Sequence, residues 1–159
     1  MFHLTVIAIG TLKESYLRDA CAEYEKRIGA FCRMETVQLR EARLPENPGD
    51  GEIVAALAAE GKQILAALPP RAYRVALCVE GKQLSSEELA TKLEEVGNSH
   101  GALCLVIGSS HGLSEEVKAA CDFRWSVSRL TFPHQLMRVI LSETLYRSFS
   151  ILNGRKYHK

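Results

Sequence analysis

The sequence predicts an α/β fold, with a mainly parallel sheet that carries helices on both of its faces. Strand-like and helix-like segments alternate along the whole chain, which is typical of parallel sheets built from crossover units. Two strand-like segments, "YRVALCVEG" and "ALCLVIG", are apolar almost throughout, as strands buried on both faces are. The 159 residues are the size of one domain and contain no internal repeat. We therefore expect a single domain over residues 1–159.

The first half of the chain supplies two strands and two helices. "FHLTVIAIG" is a β-branched strand ending at Gly10, and "METVQLR" alternates like a half-buried strand. Between them, residues 13–29 place apolar side chains at helical spacing, with Gly29 as the stop. The loop "LPENPGDG" precedes the Ala/Leu helix "EIVAALAAEGKQILAAL", which Pro69-Pro70 ends.

The second half repeats this alternation. The strand of residues 73–81 is followed by Ser85-x-x-Glu88, a capping box that opens the helix "ELATKLEEVGN". After the second buried strand, a short helix begins with Ser114 and runs to about Cys121. "FRWSVS" is the last short strand, and residues 133–152 form the longest helix.

The longest helix has one apolar face and two polar features. Its apolar residues recur at spacings of three and four, which predicts a core or dimer face: Leu136, Met137, Ile140, Leu141, Leu145, Phe149 and Leu152. Arg138 and Ser142 share another face. Glu143 and Arg147 form an i,i+4 pair, which we interpret as surface chemistry of little consequence.

Composition and charge limit the setting. No apolar run approaches the ~18 residues of a membrane span, and the N-terminus has neither a basic leader nor a cleavage site, so we expect a cytoplasmic protein. Five cysteines without a C-x-x-C pair predict reduced structural thiols and no metal site. From Arg124 onward seven basic residues stand against Glu143 alone, a net charge of +6, while the rest carries −5. This asymmetry suggests a polyanion partner, although an accidental solvated stripe would look the same.

Three predicted strand ends carry turn-forming or polar residues. They are "CVEGKQLSS", "VIGSSHGLS" and "SVSRLTFP". In open parallel sheets, ligands bind beyond the carboxyl ends of the strands. We therefore expect the three segments to converge on a small molecule.

The "GSSHG" segment supports an alternative. It lacks the spacing of a dinucleotide fingerprint but matches G-x-S-x-G with Ser110 at its centre, and Asp122 and His134 follow in the order of a serine hydrolase. Against a hydrolase, the chain is short for that fold, has no HGGG-type oxyanion segment and has short last strands.

The end of the chain, "NGRKYHK", combines cations with one ring and one imidazole. A frayed terminus is the default expectation for such a segment. The same side chains are those that nucleic-acid bases and phosphates would contact.

The motifs together resemble a known family. "LTVIAIGTLKE", "VIGSSHGLSEEV" and "SVSRLTFPHQLMRVILSETLYRSFSILNGRKYHK" are similar to the ribosomal large-subunit methyltransferase H family, a branch of the SPOUT methyltransferases. The resemblance runs from end to end. It implies a trefoil-knotted α/β fold near the C-terminus, a homodimer, and S-adenosylmethionine bound in the knot. It also implies methylation of N3 of a pseudouridine in the large-subunit (23S) rRNA of the assembled ribosome.

The resemblance also assigns site residues. It implies cofactor contacts at Leu77, Gly108, Val127, Ser128, Arg129, Leu130, Thr131 and Phe132. These lie at the three strand ends that the pattern of polar residues selects. The family usually has a second glycine where this chain has Ser109. We expect a long side chain at Gly108 to exclude the cofactor while the fold persists.

The acceptor side of the site is expected in the tail. His158 and Tyr157 are candidates for proton handling or base contact, Arg155 for a phosphate contact, and His134 is a lesser candidate. The tail could equally bind RNA without acid–base chemistry, and in a dimer it could act at the partner's cofactor site. A ribosome-binding factor without activity would need the basic tail but not three converging loops.

Overall fold

The computed structural model describes residues 2–159 and contains a sheet of five strands, all parallel. The strands are β1 (His3–Ile9), β2 (Arg33–Leu39), β3 (Tyr73–Gln83), β4 (Ala102–Ile107) and β5 (Phe123–Ser126). Their order across the sheet is β2-β1-β4-β3-β5, and every neighbouring pair is parallel. The predicted parallel sheet is confirmed.

Five helices cover both faces of this sheet. They are α1 (Ser15–Ile28), α2 (Asp50–Ala67), α3 (Ser86–Ser99), α4 (Glu115–Ala119) and α5 (His134–Leu152). One face packs against α1, α3 and α5 around Leu105 and Leu145, both almost fully buried. The other face packs against α2 and α4 around Ile64 and Val117. The two hydrophobic cores explain why the central strands are apolar at nearly every position.

The element boundaries differ from the prediction by about two residues. The capping box is present: Ser85 N–H donates to the Glu88 carboxylate at 2.7 Å, and Glu88 N–H donates to Ser85 Oγ at 3.1 Å. Helix α2 begins at Asp50, two residues earlier than its apolar pattern indicates. The reason is Glu52, whose carboxylate accepts the N–H of Gly49 at 3.2 Å and so stabilises the first turn.

Helix α5 buries the predicted apolar face. Leu141, Leu145 and Phe149 are at most 5% exposed, whereas Leu136 and Leu152 at its two ends are 38% and 36% exposed. The middle of the helix therefore belongs to the core of this chain.

The end of β3 wraps closely around β5. Leu77 and Lys82 are both register partners of Trp125, so the chain between them forms an irregular loop against this strand. A Cβ atom on Gly81 would lie 2.6 Å from the carbonyl carbon of Trp125, a distance that side chains do not tolerate. Only glycine allows this passage of one backbone against another.

No helix of the described chain has the length and apolarity needed to cross a bilayer. Within residues 2–159, no group of three or more His, Cys, Asp or Glu side chains is placed to hold a metal ion. The five cysteines carry free thiols. Burial raises the pKa of Cys104 to about 12 and that of Cys32 to about 11, so both thiols stay protonated and unreactive at neutral pH.

Candidate functional site

A cavity of about 690 Å³ lies where the three predicted strand-end segments meet. Its wall is formed by the second half of β3 (77–80), by the end of β4 and the loop after it (107–113), and by residues from β5 to the start of α5 (125–134), together with Lys118 and Met137. The volume lies within the range of small-molecule sites. The convergence of these segments was expected from the parallel sheet.

Seven of the eight residues expected to contact a cofactor line this cavity. The exception is Arg129, which is exposed and does not belong to the lining. Two serines shape the loop before α5: Ser126 Oγ donates to the carbonyl of Ser128 at 3.1 Å, and Leu130 N–H donates to Ser128 Oγ at 3.0 Å. These short-range bonds turn the backbone around the cavity.

Gly108 sits at a tight backbone crossing. A Cβ atom there would lie 2.3 Å from the carbonyl oxygen of Gly112, and Gly112 itself has a positive φ of 88°. The turn is closed by Gly112 N–H, which donates to the Ser109 carbonyl at 2.9 Å. A long side chain at Gly108 would therefore distort the loop as well as fill the cavity. The expectation that such a change affects the cofactor alone is wrong, and a different variant is needed.

Ser109 holds a buried carboxylate beneath the same loop. Its Oγ donates to Glu60 Oε1 at 2.8 Å, and Ala42 N–H donates to Glu60 Oε2 at 2.9 Å. Both Ser109 and Glu60 are buried. Next to Glu60 on α2, a Cβ atom on Gly61 would meet Ser114 Oγ at 2.7 Å, so the helix also packs tightly against the start of α4. The serine thus ties the cavity loop to α2.

A charged pair crosses one side of the cavity. The Lys118 ammonium donates to Glu80 Oε1 and, at 3.0 Å, to Glu115 Oε1, and its side chain is only 11% exposed. The hydrogen bond from Lys118 lowers the pKa of Glu80, and the same bond raises the pKa of Lys118. Both groups are therefore charged at neutral pH and present opposite charges to the cavity.

Several lining residues were not identified from the sequence. Lys118, Trp125 and Met137 lie outside the three predicted segments, and all belong to the wall. Trp125 is the chain's one tryptophan, and its Nε1 is enclosed without a hydrogen-bond partner in the described part of the chain. Lys118 could have been predicted as a lining residue, because it lies one helical turn after Ser114, where the predicted segment after β4 ends. Trp125 and Met137 are apolar, so the search for polar residues did not select them.

The serine hydrolase alternative fails on geometry. Ser110 and His134 line the cavity, but Asp122 accepts the N–H of Arg74 at 2.8 Å at the beginning of β5. Asp122 therefore lies at the amino end of β5, whereas Ser110 and His134 line the cavity at the carboxyl ends of the strands. The four residues of β5 span about 13 Å between these two ends. Among residues 2–159, no hydrogen bond joins any two members of this predicted triad.

Tyr157 docks the C-terminal tail (residues 153–159) on the middle of α5. Its Oη donates to Glu143 Oε1 at 3.2 Å, and its ring meets Tyr146 edge-on with centroids 4.7 Å apart. The Arg147 guanidinium lies over the same ring and binds Glu143 at 2.6 Å. The Glu143–Arg147 pair is therefore not an isolated surface pair as predicted, because both of its side chains contact the tail. Burial raises the pKa of Tyr157 to about 12, so its phenol is neutral at physiological pH.

The other two tail candidates are also held by this chain. His158 Nδ1 lies 3.2 Å from Arg147 Nη1, and His158 Nε2 lies 2.8 Å from Glu87 Oε1. Arg155 stacks over Phe31 at 4.7 Å from the ring centroid. The tail is packed rather than frayed.

The docked tail lies away from the cavity of its own chain. Arg147, beside His158, is 13 residues past His134, or ~20 Å along the axis of α5. Glu143 follows Met137 by six residues, about 240° around the helix, so these side chains leave α5 on different sides. In the described chain, no tail residue lines the cavity. The structure does not bring the expected catalytic residues together with the expected cofactor loops.

Comparisons with known proteins agree along the entire chain. A family model described as "Predicted SPOUT methyltransferase" matches residues 2–158. A "Ribosomal RNA large subunit methyltransferase H" from Clostridioides difficile (strain 630) is 42% identical over 160 residues, covering 99% of both chains. The protein of the same name from Bifidobacterium adolescentis is 44% identical over 158 residues, covering 98% of this chain and 99% of the relative.

The fold is also similar to a solved structure. The crystal structure of a "Probable Methyltransferase" from Bordetella pertussis Tohama I superimposes with a TM-score of 0.59, covering 93% of this chain and 96% of that one. The two sequences are only 17% identical, so this similarity concerns the fold alone.

Proposed function

This chain belongs to the SPOUT methyltransferase family, and from that premise we propose that it transfers the methyl group of S-adenosylmethionine to large-subunit (23S) rRNA. The observation that carries the proposal is the similarity, over their whole length, to relatives named ribosomal RNA large subunit methyltransferase H. The acceptor we propose is N3 of a pseudouridine, reached on the assembled ribosome in the cytoplasm by a homodimer.

The cavity suits this cofactor. The SPOUT fold places its cofactor loops in a trefoil knot, and the close passage of Gly81 against β5 lies beside the cavity wall. Backbone groups of residues 127–132 and of Gly108 would surround the adenosine. Lys118 and Glu80 offer an ammonium and a carboxylate, which match the zwitterionic amino-acid end of the molecule. When bound, S-adenosylmethionine supplies an electrophilic methyl group on a sulfonium.

Exposed basic residues support a polyanionic substrate. Of the seven basic residues from Arg124 onward, Arg138 is buried and Arg147 is paired with Glu143. The remaining five are exposed: Arg124, Arg129, Arg155, Lys156 and Lys159. Such a segment would attract the phosphates of RNA.

We place the acceptor chemistry in the tail of the partner subunit. Because Arg155, Tyr157 and His158 lie away from the cavity of their own chain, they would act at the cavity of the second copy. Transfer of the methyl group to N3 requires N3 to release its proton. Tyr157, with its raised pKa, is a hydrogen-bond donor rather than a base, which leaves His158 as the proton acceptor. His134, in the wall of the cavity itself, is the second candidate.

The test uses a cavity-filling variant that spares the backbone crossing at Gly108. Thr131 is exposed at the cavity wall, and within residues 2–159 its side chain makes no hydrogen bond, so Thr131→Phe adds bulk to the cavity with little effect on folding. Trp125, the one tryptophan, lies in the cavity wall, so its fluorescence is the readout chosen for binding. We expect affinity for S-adenosylmethionine to fall at least about tenfold, ~1.4 kcal/mol, and transfer of labelled methyl groups to ribosomes to fall with it. Thr91→Phe, at an exposed position on α3, is the matched control.

The same experiment distinguishes the proposed methyltransferase from a ribosome-binding factor without activity. A ribosome-binding factor without activity would bind ribosomes but transfer no label, and Thr131→Phe would change nothing. Label found on the protein, or wild-type affinity in Thr131→Phe, would contradict the proposal.

A further inference from the structure

A second cavity of about 400 Å³ lies between α1, β2 and α5. Its floor is formed by Arg138 and Cys21, both buried, and its side by Glu25 and Thr36. Arg18 and Gln38 are exposed at its rim, so the cavity opens to solvent. Nothing in the comparisons assigns a ligand to this cavity.

Arg138 stands out on the floor because its charge has no partner. Its residue is only 7% exposed, and among residues 2–159 no hydrogen bond or ion pair involves its guanidinium. Glu25 is in the same cavity but makes no ion pair with it; the Glu25 carboxylate instead accepts from Thr36 Oγ1 at 3.1 Å. Burial lowers the pKa of Arg138, which reflects a cation that the chain leaves poorly compensated.

A guanidinium that is buried without an opposite charge is costly, and an anion in the cavity would offset that cost. Removing such a group from water costs several kcal/mol unless hydrogen bonds and an opposite charge replace the water. The Arg138 nitrogens are not fully enclosed. In the described chain, the enclosed side-chain nitrogen and oxygen atoms without a hydrogen-bond partner are Trp125 Nε1 and Ser150 Oγ. The Arg138 nitrogens, which also have no partner, therefore still border the cavity. An anionic acceptor can therefore reach them from the cavity.

We propose that this cavity binds a phosphoryl anion. The planar guanidinium of Arg138 would donate two parallel hydrogen bonds from the floor. Arg18 would approach from the rim, where its Nη1 already donates to the carbonyls of Leu12 at 2.9 Å and Lys13 at 2.7 Å and is thereby held in place. The two guanidinium groups outweigh the Glu25 carboxylate, which leaves the cavity positively charged.

The position suggests where the phosphoryl group comes from. Met137 lines the first cavity and its neighbour Arg138 lines the second, so the two cavities face adjacent sides of the first turns of α5, about 100° apart around the helix axis. If the proposed function holds, a backbone phosphate near the methylated nucleotide is the favoured source. Free phosphate has the same chemistry and is the other.

Thermal unfolding in a series of inorganic phosphate concentrations tests the site. At constant ionic strength, maintained with chloride, we expect the wild-type midpoint to rise with phosphate and that of Arg138→Gln not to rise. Without phosphate, Arg138→Gln should be as stable as the wild type or more stable, because an uncompensated charge has been removed. Arg138→Lys keeps the positive charge but loses the two parallel N–H donors of the guanidinium, so its unfolding midpoint should rise less with phosphate. Arg33→Gln removes an exposed arginine and is the matched control.

The source is tested by the salt dependence of binding to an rRNA fragment. If the phosphate belongs to RNA, Arg138→Gln should reduce the slope of log affinity against log salt by about 0.7. An unchanged slope together with retained phosphate stabilisation of the wild type would assign the cavity to free phosphate.

Two results would overturn the site. One is a wild-type midpoint that does not respond to phosphate. The other is an Arg138→Gln variant that is already destabilised without phosphate, since the arginine would then be paired across a subunit contact. The affinity of Arg138→Gln for S-adenosylmethionine, followed by Trp125 fluorescence, should match that of the wild type. A failure of the phosphate site can therefore be told apart from a failure of the proposed methyl transfer.

Discussion

At the scale of single residues, the most informative position is Ser109. The family resemblance predicts a glycine there, and the serine first suggests a change in the loop. The structure shows a compensating partner instead: the serine hydroxyl donates to Glu60, a carboxylate that is 3% exposed on α2. A buried carboxylate needs hydrogen-bond donors, and Ser109 and the Ala42 N–H provide them. The hydroxyl is therefore part of the loop's support.

Ser109→Ala should destabilise the protein. The change leaves one oxygen of Glu60 without its donor, which costs about 1–3 kcal/mol for a buried group. Chemical denaturation measures the free energy of unfolding directly. Ser110→Ala, at the exposed neighbouring position, should lose less than about 0.5 kcal/mol and serves as the control. Equal stability of the two variants would mean that Glu60 finds another donor.

Sequence reasoning could not have paired Ser109 with Glu60. The two residues are 49 positions apart, and Glu60 lies in a helix whose other residues are mostly apolar. A glutamate in that pattern predicts an exposed side chain. Its carboxylate is instead buried against Ser109 and the Ala42 N–H, which only the folded structure brings next to it.

At the scale of elements, local patterns predicted most of the fold and missed the docking of the tail. The strands and helices followed from alternation, caps and glycine stops, because each of these is a property of neighbouring residues. The tail was expected to be loose, since "NGRKYHK" has little apolar surface of its own. The tail is held by aromatic and charged contacts with α5 and α3. The i,i+4 spacing of Glu143 and Arg147 in the sequence does not indicate these contacts.

The docking of the tail predicts a late tyrosine titration. The pKa of Tyr157 is about 12 in the docked tail, above the ordinary value near ~10, so the docked state favours the neutral phenol. Above pH ~10 a released tail ionises more readily than a docked one, so docking weakens as the pH rises and is unaffected near neutrality. Ultraviolet titration of the five tyrosines should show one late component that disappears in Tyr157→Phe.

Glu143 offers a second check on the same contact. Glu143→Gln removes a negative charge beside the phenol, so the late component should move towards lower pH, although burial still contributes most of the shift. Glu23→Gln, which breaks the exposed pair with Arg27, is the matched control and should leave the titration unchanged. If the late component survived in Tyr157→Phe, it would belong to another tyrosine and the docked tail would be contradicted.

At the scale of the whole molecule, the cavity was predictable and the knot was not. Convergence of the three strand ends follows from parallel strands, because their carboxyl ends share one edge of the sheet. The loop from Leu77 to Lys82 around β5 has no local signal, apart from the glycine at position 81. Knots are nearly absent from proteins, so only resemblance to a family could suggest one.

The separation of tail and cavity is a property of the whole molecule as well. In one chain, α5 carries the cavity at its first turns and the tail contacts from its middle onward. If both regions serve one reaction while the tail stays docked, a second copy has to supply one of them. Symmetric dimers repeat each contact twice, so the two composite sites would be equivalent.

Complementation between two inactive variants tests the composite site. One subunit carries Thr131→Phe, which blocks its cavity and keeps its tail; the other lacks residues 155–159 and keeps its cavity. At S-adenosylmethionine concentrations too low to fill the Thr131→Phe cavity, neither homodimer should methylate ribosomes. In the purified mixed dimer, the intact cavity of the second subunit meets the intact tail of the first, so we expect about half of the wild-type activity.

A mixed dimer with Thr91→Phe in place of Thr131→Phe controls for the substitution and should show similar activity. Cofactor binding at one of the two sites, followed by Trp125 fluorescence, shows that the mixed dimer is correctly folded. A mixed dimer that binds cofactor at one site and transfers no methyl group would mean that the tail acts within its own chain, after leaving its docked position on α5.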